Sequence, residues 1–467
     1  MPRFAALPPD ILHQLLLNVS DFRTLSIALR TCRDIHNIFQ EHPLSIVTAV
    51  AANVVGGSDV LPAAVRLVEY QREETWCDEE SAMTLHPLTR ESCVMLEKNA
   101  AMIKRMEHLF SETNKDQRTR RSQLTAAEAF RFSRASYRFW LYSSGVFSFT
   151  DTQDFLSDEQ KSRYTTHFQH MLNGFPTVEL FEVDCFVSFL RDIVKQTWVA
   201  CVSGIEMLIN FQLEPGDADV IKGFDVIIHE YEKARPQFGF PLAADPPMVF
   251  YSDQINAVYS SRGIPEGRRD SGVASAIIDS INGAGNTCCY CHDVKGLDLW
   301  NILNWDRLRY RIKLVELWKL TGSKLQHNVY EMHCFIQTFY SWYRPDQTPP
   351  FNWTIFLQLI FAMDSDERGP LDCTQWYCKD CVMNVLRSRL RLWWATQKSR
   401  NPDLGRPSRS PPQKAKCWFG HECRAQVRRP PHAERLCHLY DPIPEKSKRK
   451  HREEQSEEGT DESERRS

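Results

Sequence analysis

The chain of 467 residues has room for about three domains at roughly 150 residues each, and for sizeable buried cores. Hydrophobic residues at 42% and charged residues at 25% are those of an average soluble globular protein, which argues against wholesale disorder and against a membrane-embedded body. Lys and Arg (57) nearly balance Asp and Glu (60), so any affinity for a polyanion has to be local.

No stretch reaches the roughly 18 to 20 apolar residues of a membrane helix; Phe351 to Met363 is too short and carries Asn352 and Gln358. Met1-Pro-Arg-Phe lacks a basic leader start, and the apolar run Ile11 to Val19 is broken by His13, Gln14 and Asn18. A cytoplasmic or nuclear chain is expected, with its 15 cysteines serving as core thiols and metal ligands rather than disulfides. Their distribution agrees, because ten of them fall at or after Cys288.

The first element is a small helical hairpin over Leu7 to Phe39. After Leu7-Pro8-Pro9-Asp10, the positions Ile11, Leu12, Leu15, Leu16 and Val19 keep helical spacing; Ser20-Asp21-Phe22 breaks it, and Leu25, Ala28, Leu29, Cys32 and Ile35 resume it. So many aliphatics in so short a segment exceed what two helices can cover between them. Each fully buried one is worth roughly 1.5 to 3 kcal/mol, so the surplus packs on the chain's own helices or on a partner.

The order Leu7-Pro8-Pro9-Asp10-Ile11-Leu12, Leu15-Leu16, Leu25 and Arg30-Thr31-Cys32-Arg33 resembles the F-box, and the continuation Phe39-Gln-Glu-His-Pro-Leu-Ser-Ile-Val looks like that of fungal F-box proteins. The resemblance covers under a tenth of the chain. It implies that Leu7, Pro8, Ile11, Leu12, Leu15, Leu16 and Leu25 form or support a surface for the Skp-type adaptor of a cullin ubiquitin ligase, with the remainder selecting a protein substrate.

From Ser45 to about Leu213 the 3.6-residue period recurs over Ala63 to Tyr70, Ser92 to Phe110, Ala126 to Tyr142 and Phe181 to Leu208, which predicts a helical array. Glu112 to Ser122 is polar and basic and reads as an exposed loop, and Pro236 to Gly285, richer in Pro, Gly and Ser, is expected to hold long connections. Leu297 to Trp342, Trp353 to Met363 and Val382 to Trp394 return to helical spacing, with Trp300, Trp305, Trp318 and Trp342 as core aromatics. The expected organisation is mostly α-helical: box 1–45, helical domain 46–240, helical region 241–400, linker 401–413, Cys/His module 414–440 and disordered charged tail 441–467.

Cys288, Cys291 and Cys378, Cys381 are two Cys-x-x-Cys turns, each of which aims two thiolates at one ion; together they make a four-sulfur zinc site. The long interval 292–377 requires an insertion that returns the chain to its start. Cys289, His292 and Cys373 are spare ligands, and unrelated buried thiols or redox thiols are the competing readings. The ligand order lacks the interleaving of a RING finger.

Cys417, Cys423, His432 and His438 are separated by five, eight and five residues, a two-thiolate, two-imidazole set suited to structural zinc. A partly ordered basic segment is the rival reading. Cys417-Trp-Phe-Gly-x-x-Cys-Arg with a later His pair resembles the PBZ zinc finger, although its middle interval is eight residues where that family has six. The resemblance implies poly(ADP-ribose) as ligand, with Phe419, Gly420 and Arg424 near the polymer. An aromatic face stacks on adenine, and Arg424, Arg428 and Arg429 pair with pyrophosphate.

Gly283-Ala284-Gly285 lacks a phosphate-loop pattern, His229-Glu230 lacks a second His, and no Gly-x-Ser-x-Gly orders a triad. Lys446 to Arg452 is basic enough for nuclear import, though such runs are commonly just solvated. The sequence therefore predicts a non-catalytic, zinc-containing F-box receptor. The alternatives are a zinc-finger protein that binds poly(ADP-ribose) or nucleic acid, and an enzyme within the helical region.

Overall fold

A computed structural model describes residues 7–73, 78–85, 88–119, 121–152, 157–201, 223–233, 251–341, 353–364, 369–404 and 415–443. The protein is mostly α-helical, and the named strands among the described residues are two-residue segments. None of the described helices is long and apolar enough to cross a membrane. The chain divides into two compact units, one of residues 1–197 and 214–283 and one of 198–213 and 284–467. This division at Gly283/Ala284 lies well beyond the expected boundary at 240/241.

In the first unit Pro8 and Pro9 suit the opening turn of a helix and lead into α1 (Pro9–Leu17). The Asp21 carboxylate accepts the Thr24 N–H at 2.6 Å and caps α2 (Phe22–Thr31). The sequence reading runs α2 into the following segment, but the structure separates α3 (Arg33–Glu41). Cys32 is extended (φ −148°), and the Thr31 hydroxyl donates to the Ala28 carbonyl at 2.7 Å in the last turn of α2. The N-terminal element is thus three helices rather than a hairpin. Pro43 opens α4 (Pro43–Val55), and Gly56, at φ +99°, ends it in the left-handed conformation.

Leu12, Leu16, Leu25, Ile35, Ile38, Ile46 and Val50 form one buried cluster, so α4 supplies part of the core of the first three helices. The Asn53 side-chain amide donates to the carbonyls of Leu17 and Val19 and fixes the end of α1. Glu97 accepts the Phe22 N–H at 2.8 Å and ties α2 to the helical array.

The array contains α5 (Leu61–Glu73), α6 (Glu79–Leu85), α7 (Arg90–Asn114), α8 (Ala126–Thr152), α9 (Asp158–Asn173) and α10 (Thr177–Cys201). Its interior is aromatic: Phe110, Phe132 and Phe189 meet edge to face or tilted at 5.0 to 6.4 Å. Arg138 bridges Glu79 (2.7 Å) and Glu179 (2.6 Å), and Arg134 bridges Glu179 and Glu182, so α6, α8 and α10 are joined by charge.

Glu112 to Ser122 is not simply an exposed loop, because α7 continues to Asn114 and Glu112, Lys115 and Asp116 are buried. Lys115 pairs with the fully buried Glu128, and the Lys115 carbonyl accepts the Asn282 N–H at 3.0 Å. Within 236–285 the chain is also helical. It holds the helices Tyr251–Ser261 and Glu266–Ala274, the first of which buries Tyr251, Ile255, Val258 and Tyr259 on one face.

In the second unit β1 (Leu299–Trp300) pairs antiparallel with β2 (Tyr377–Cys378). The helix Lys379–Arg400 follows at once and packs on an aromatic core that includes Trp305, Trp318, Phe335, Phe356 and Trp394. Trp300 is also buried, whereas Trp342 lies outside the described residues. Arg389 is fully buried and donates to the carbonyls of Phe361 (2.9 Å) and Gly369 (2.6 Å), which fixes the chain after the helix Trp353–Phe361. The expected linker beyond Leu404, the tail beyond Ile443 with its basic run, and the end of the predicted helix beyond Cys201 lie outside the described residues.

Candidate metal centres

The first centre begins with a tight turn. The Cys288 N–H donates to the Asp293 carbonyl and the His292 N–H to the Cys288 carbonyl, both at 2.9 Å, while His292 takes φ +62° to close the loop. Cys288 and Cys291 therefore face the same point. The Cys289 N–H donates to the Trp376 carbonyl at 2.9 Å and the β1–β2 ladder sets Cys378 beside the turn; Cys381 follows in the first turn of Lys379–Arg400. The strand pair thus joins the two ends of the long interval between the cysteine pairs.

The sulfurs of Cys288, Cys291, Cys378 and Cys381 all lie within 4.8 Å of one another, with Cys291 and Cys378 at 3.8 Å. Burial opposes ionisation of Cys288, but N–H groups, including those of Cys378 (3.2 Å) and Tyr290 (3.4 Å), outweigh it and bring its pKa down to about 7. Cys378 is pushed up to about 11 by burial and by the neighbouring charge of Cys288, and Cys381 is raised as well, by burial and its sulfur neighbours. Four sulfurs this close ionise together only around a cation, and an all-sulfur tetrahedral set suits a soft or borderline ion. Cys289, His292 and Cys373 are outside the group.

The second centre is organised by a parallel pair, β3 (Ala415–Lys416) and β4 (Leu436–Cys437). The residues that follow them, Cys417 and His438, therefore leave the ladder side by side, and the Cys417 N–H donates to the Cys437 carbonyl at 2.9 Å. Cys423 follows the turn Gly420–Glu422, and His432 sits on the short helix Pro430–Arg435. Donor atoms of Cys417, Cys423, His432 and His438 lie within 4.8 Å of one another, and His432 Nε2 is 3.4 Å from Cys423 Sγ and 3.7 Å from Cys417 Sγ.

His438 is fully buried, and neither ring nitrogen has a hydrogen-bond partner. Burial and the neighbouring His432 lower its pKa to about 4, so the ring is neutral and able to ligate. Such orphaned nitrogens are costly, and a bound cation satisfies one of them. The residues present at both centres can therefore hold a metal ion. Gly420 is required by shape, because it has φ +47° and a Cβ there would stand 2.1 Å from the Tyr440 carbonyl oxygen.

The second centre is built into the second unit rather than suspended from a linker. Ser323 Oγ donates to the His421 carbonyl at 3.0 Å, Asn328 Nδ2 donates to Gln426 Oε1 at 2.9 Å, and Gln426 Nε2 donates to the His421 carbonyl at 3.0 Å. Ser323, Asn328 and Gln426 carry no motif that would single them out in the sequence. Phe419 is 58% exposed, Arg424 is exposed and Gly420 is buried.

In the N-terminal helices Leu7, Pro8, Ile11 and Leu15 are exposed, whereas Leu12, Leu16 and Leu25 are core. Ile27 and Leu44, which the motif did not single out, are exposed as well (54% and 74%). No protein family, curated protein or solved structure matches the chain.

Proposed function

We propose that the chain is a non-catalytic substrate receptor of a Skp-cullin-F-box ubiquitin ligase. The observation that carries this reading is the division of labour within α1 and the residues leading into it. Leu12 and Leu16 enter the core of the N-terminal helices, while Leu7, Ile11 and Leu15, spaced four apart, stay 39 to 49% exposed on the other side. An amphipathic helix presented this way suits a helical partner, with apolar anchors for affinity and surrounding polar groups for selectivity. Ubiquitin chemistry then belongs to the partners, and this chain contributes proximity between bound substrate and the charged carrier.

Co-elution of the full-length chain with a Skp-type adaptor tests the reading. Ile11→Asp with Leu15→Asp is the informative variant, since both side chains are exposed and the core stays intact. Loss of the complex in a folded variant supports the docking face. Absence of any complex with the wild type removes the receptor reading.

Both centres are proposed to hold structural zinc, which suits sulfur and imidazole donors and supplies about 10 to 16 kcal/mol in finger-sized peptides. A second reading, binding of poly(ADP-ribose) or nucleic acid, draws on the exposure of Phe419 and of Arg424, Arg428 and Arg429 in the same module. Its test uses the whole chain, because the segment's loop is held by Ser323 and Asn328. Affinity that falls steeply with salt and is lost in Phe419→Ala favours it.

A further inference from the structure

The two centres share one structural framework. The first pins the roots of the insertion: Cys288 and Cys291 precede β1, Cys378 closes β2, and the ladder between them is where residues 301–376 leave and return. That insertion carries Ser323, Asn328 and the helix Val329–Ser341. Asn328 is fully buried, with Oδ1 accepting the Glu331 N–H at 3.0 Å and Nδ2 donating to Gln426. Gln426 and Ser323 both donate to the His421 carbonyl, in the loop between Cys417 and Cys423.

From the other side, Arg391, on the helix that begins with the first centre's last ligands, donates to the Leu439 carbonyl at 3.2 Å and pairs with Asp441 at 3.0 Å. Leu439, next to the ligand His438, lies in the same buried cluster as Cys288, Cys378 and Cys381. Each centre thus depends on elements that the other holds in place.

We propose that the two centres bind zinc cooperatively, ion binding at either one raising affinity at the other, with Ser323, Asn328 and Gln426 as the positioning residues that transmit the coupling. The inference rests on the proposed zinc reading of both centres. An ion at the first centre fixes the two ends of the insertion, which sets Ser323 and Asn328 against the loop of the second. An ion at the second fixes Gln426 and Leu439, which returns order to the insertion. Linkage requires the effect to be reciprocal, so the fold-change in affinity is the same in both directions.

Native mass spectrometry of the metal-stripped full-length chain, refolded with increasing zinc, reads the coupling directly. With one equivalent of zinc the expected share of one-zinc species is smaller than the separate affinities of the two centres, each measured with the other's ligands removed, would give. In Gln426→Ala with Asn328→Ala, which keeps every metal ligand, the one-zinc species is expected to grow while saturation still reaches two ions. Chelator competition on Cys291→Ser with Cys381→Ser, and separately on Cys417→Ser with His432→Ala, should show equal losses at the surviving centre, roughly tenfold or more.

A one-zinc share in the wild type equal to that set by the separate affinities of the two single-centre variants, or an unchanged distribution in the Gln426/Asn328 variant, overturns the coupling or its route while leaving two zinc sites standing. Saturation below two ions overturns the zinc reading itself.

Discussion

At Glu128 a fully buried carboxylate meets Lys115 Nζ and the backbone N–H groups of Thr125 (2.7 Å) and Asp279 (2.9 Å). Burial alone raises its pKa, but these partners outweigh it and bring it down to about 2 from an ordinary 4.5. A carboxyl whose folded pKa is depressed contributes stability that is present above its unfolded pKa and lost as pH falls through the folded one. Urea midpoints of the wild type should therefore fall between pH 4.5 and 2 more steeply than those of Glu128→Gln, which cannot titrate there. Lys115→Met leaves a buried charge without its counter-ion and should cost about 3 to 5 kcal/mol, read from the same midpoints. Gly420→Ala acts at the second metal centre, where its Cβ meets the Tyr440 carbonyl and displaces the loop between two ligands. Zinc transfer to a chelator should speed up roughly tenfold or more, in line with changes to groups that orient metal ligands.

Among the elements, the N-terminal helices show what a periodic pattern reveals and where it stops. The spacing of Leu12, Leu16 and Leu25 against Ile11 and Leu15 is legible as an amphipathic surplus, but which of them face inward depends on α4, whose Ile46 and Val50 close the cluster. The break at Cys32 is not legible, because Thr and Cys are tolerated inside helices and only the extended backbone at Cys32 parts the two. The two faces separate cleanly in stability. Leu16→Ala or Leu25→Ala should lower unfolding free energy by about 2 to 5 kcal/mol through a core cavity, while Ile11→Ala or Leu15→Ala stays within roughly 0.5 kcal/mol. Chemical denaturation of each variant checks this. The segment 112–122 is a complementary case, since its polarity suggests solvent, yet Lys115 and Asp116 are buried by ion pairing that a single-sequence pattern does not display.

For the whole molecule, the sequence carries the two candidate metal-binding groups more openly than the architecture. Both ligand sets are readable from cysteine and histidine spacing, because tetrahedral ions demand paired donors at turn distances. The division into units is not readable, since it depends on residues 277–282 returning to α7 and α8 through Arg131, Glu128 and Lys115. Nor is the seating of the C-terminal module, which rests on side chains of Ser323 and Asn328 far back in the chain. Metal should accordingly matter to one unit and not the other. Hydrogen exchange after chelation should show lost protection in peptides from 284–443 and unchanged protection in peptides from 46–197.

The receptor reading turns on whether the exposed side of α1 is a docking face. Calorimetric titration of a Skp-type adaptor into the full-length chain, at several temperatures, tests it directly. A saturable one-to-one complex with a negative heat-capacity change from apolar burial is expected, abolished in a folded Ile11→Asp, Leu15→Asp variant. Binding that survives those substitutions, or no binding by the folded wild type, would contradict it.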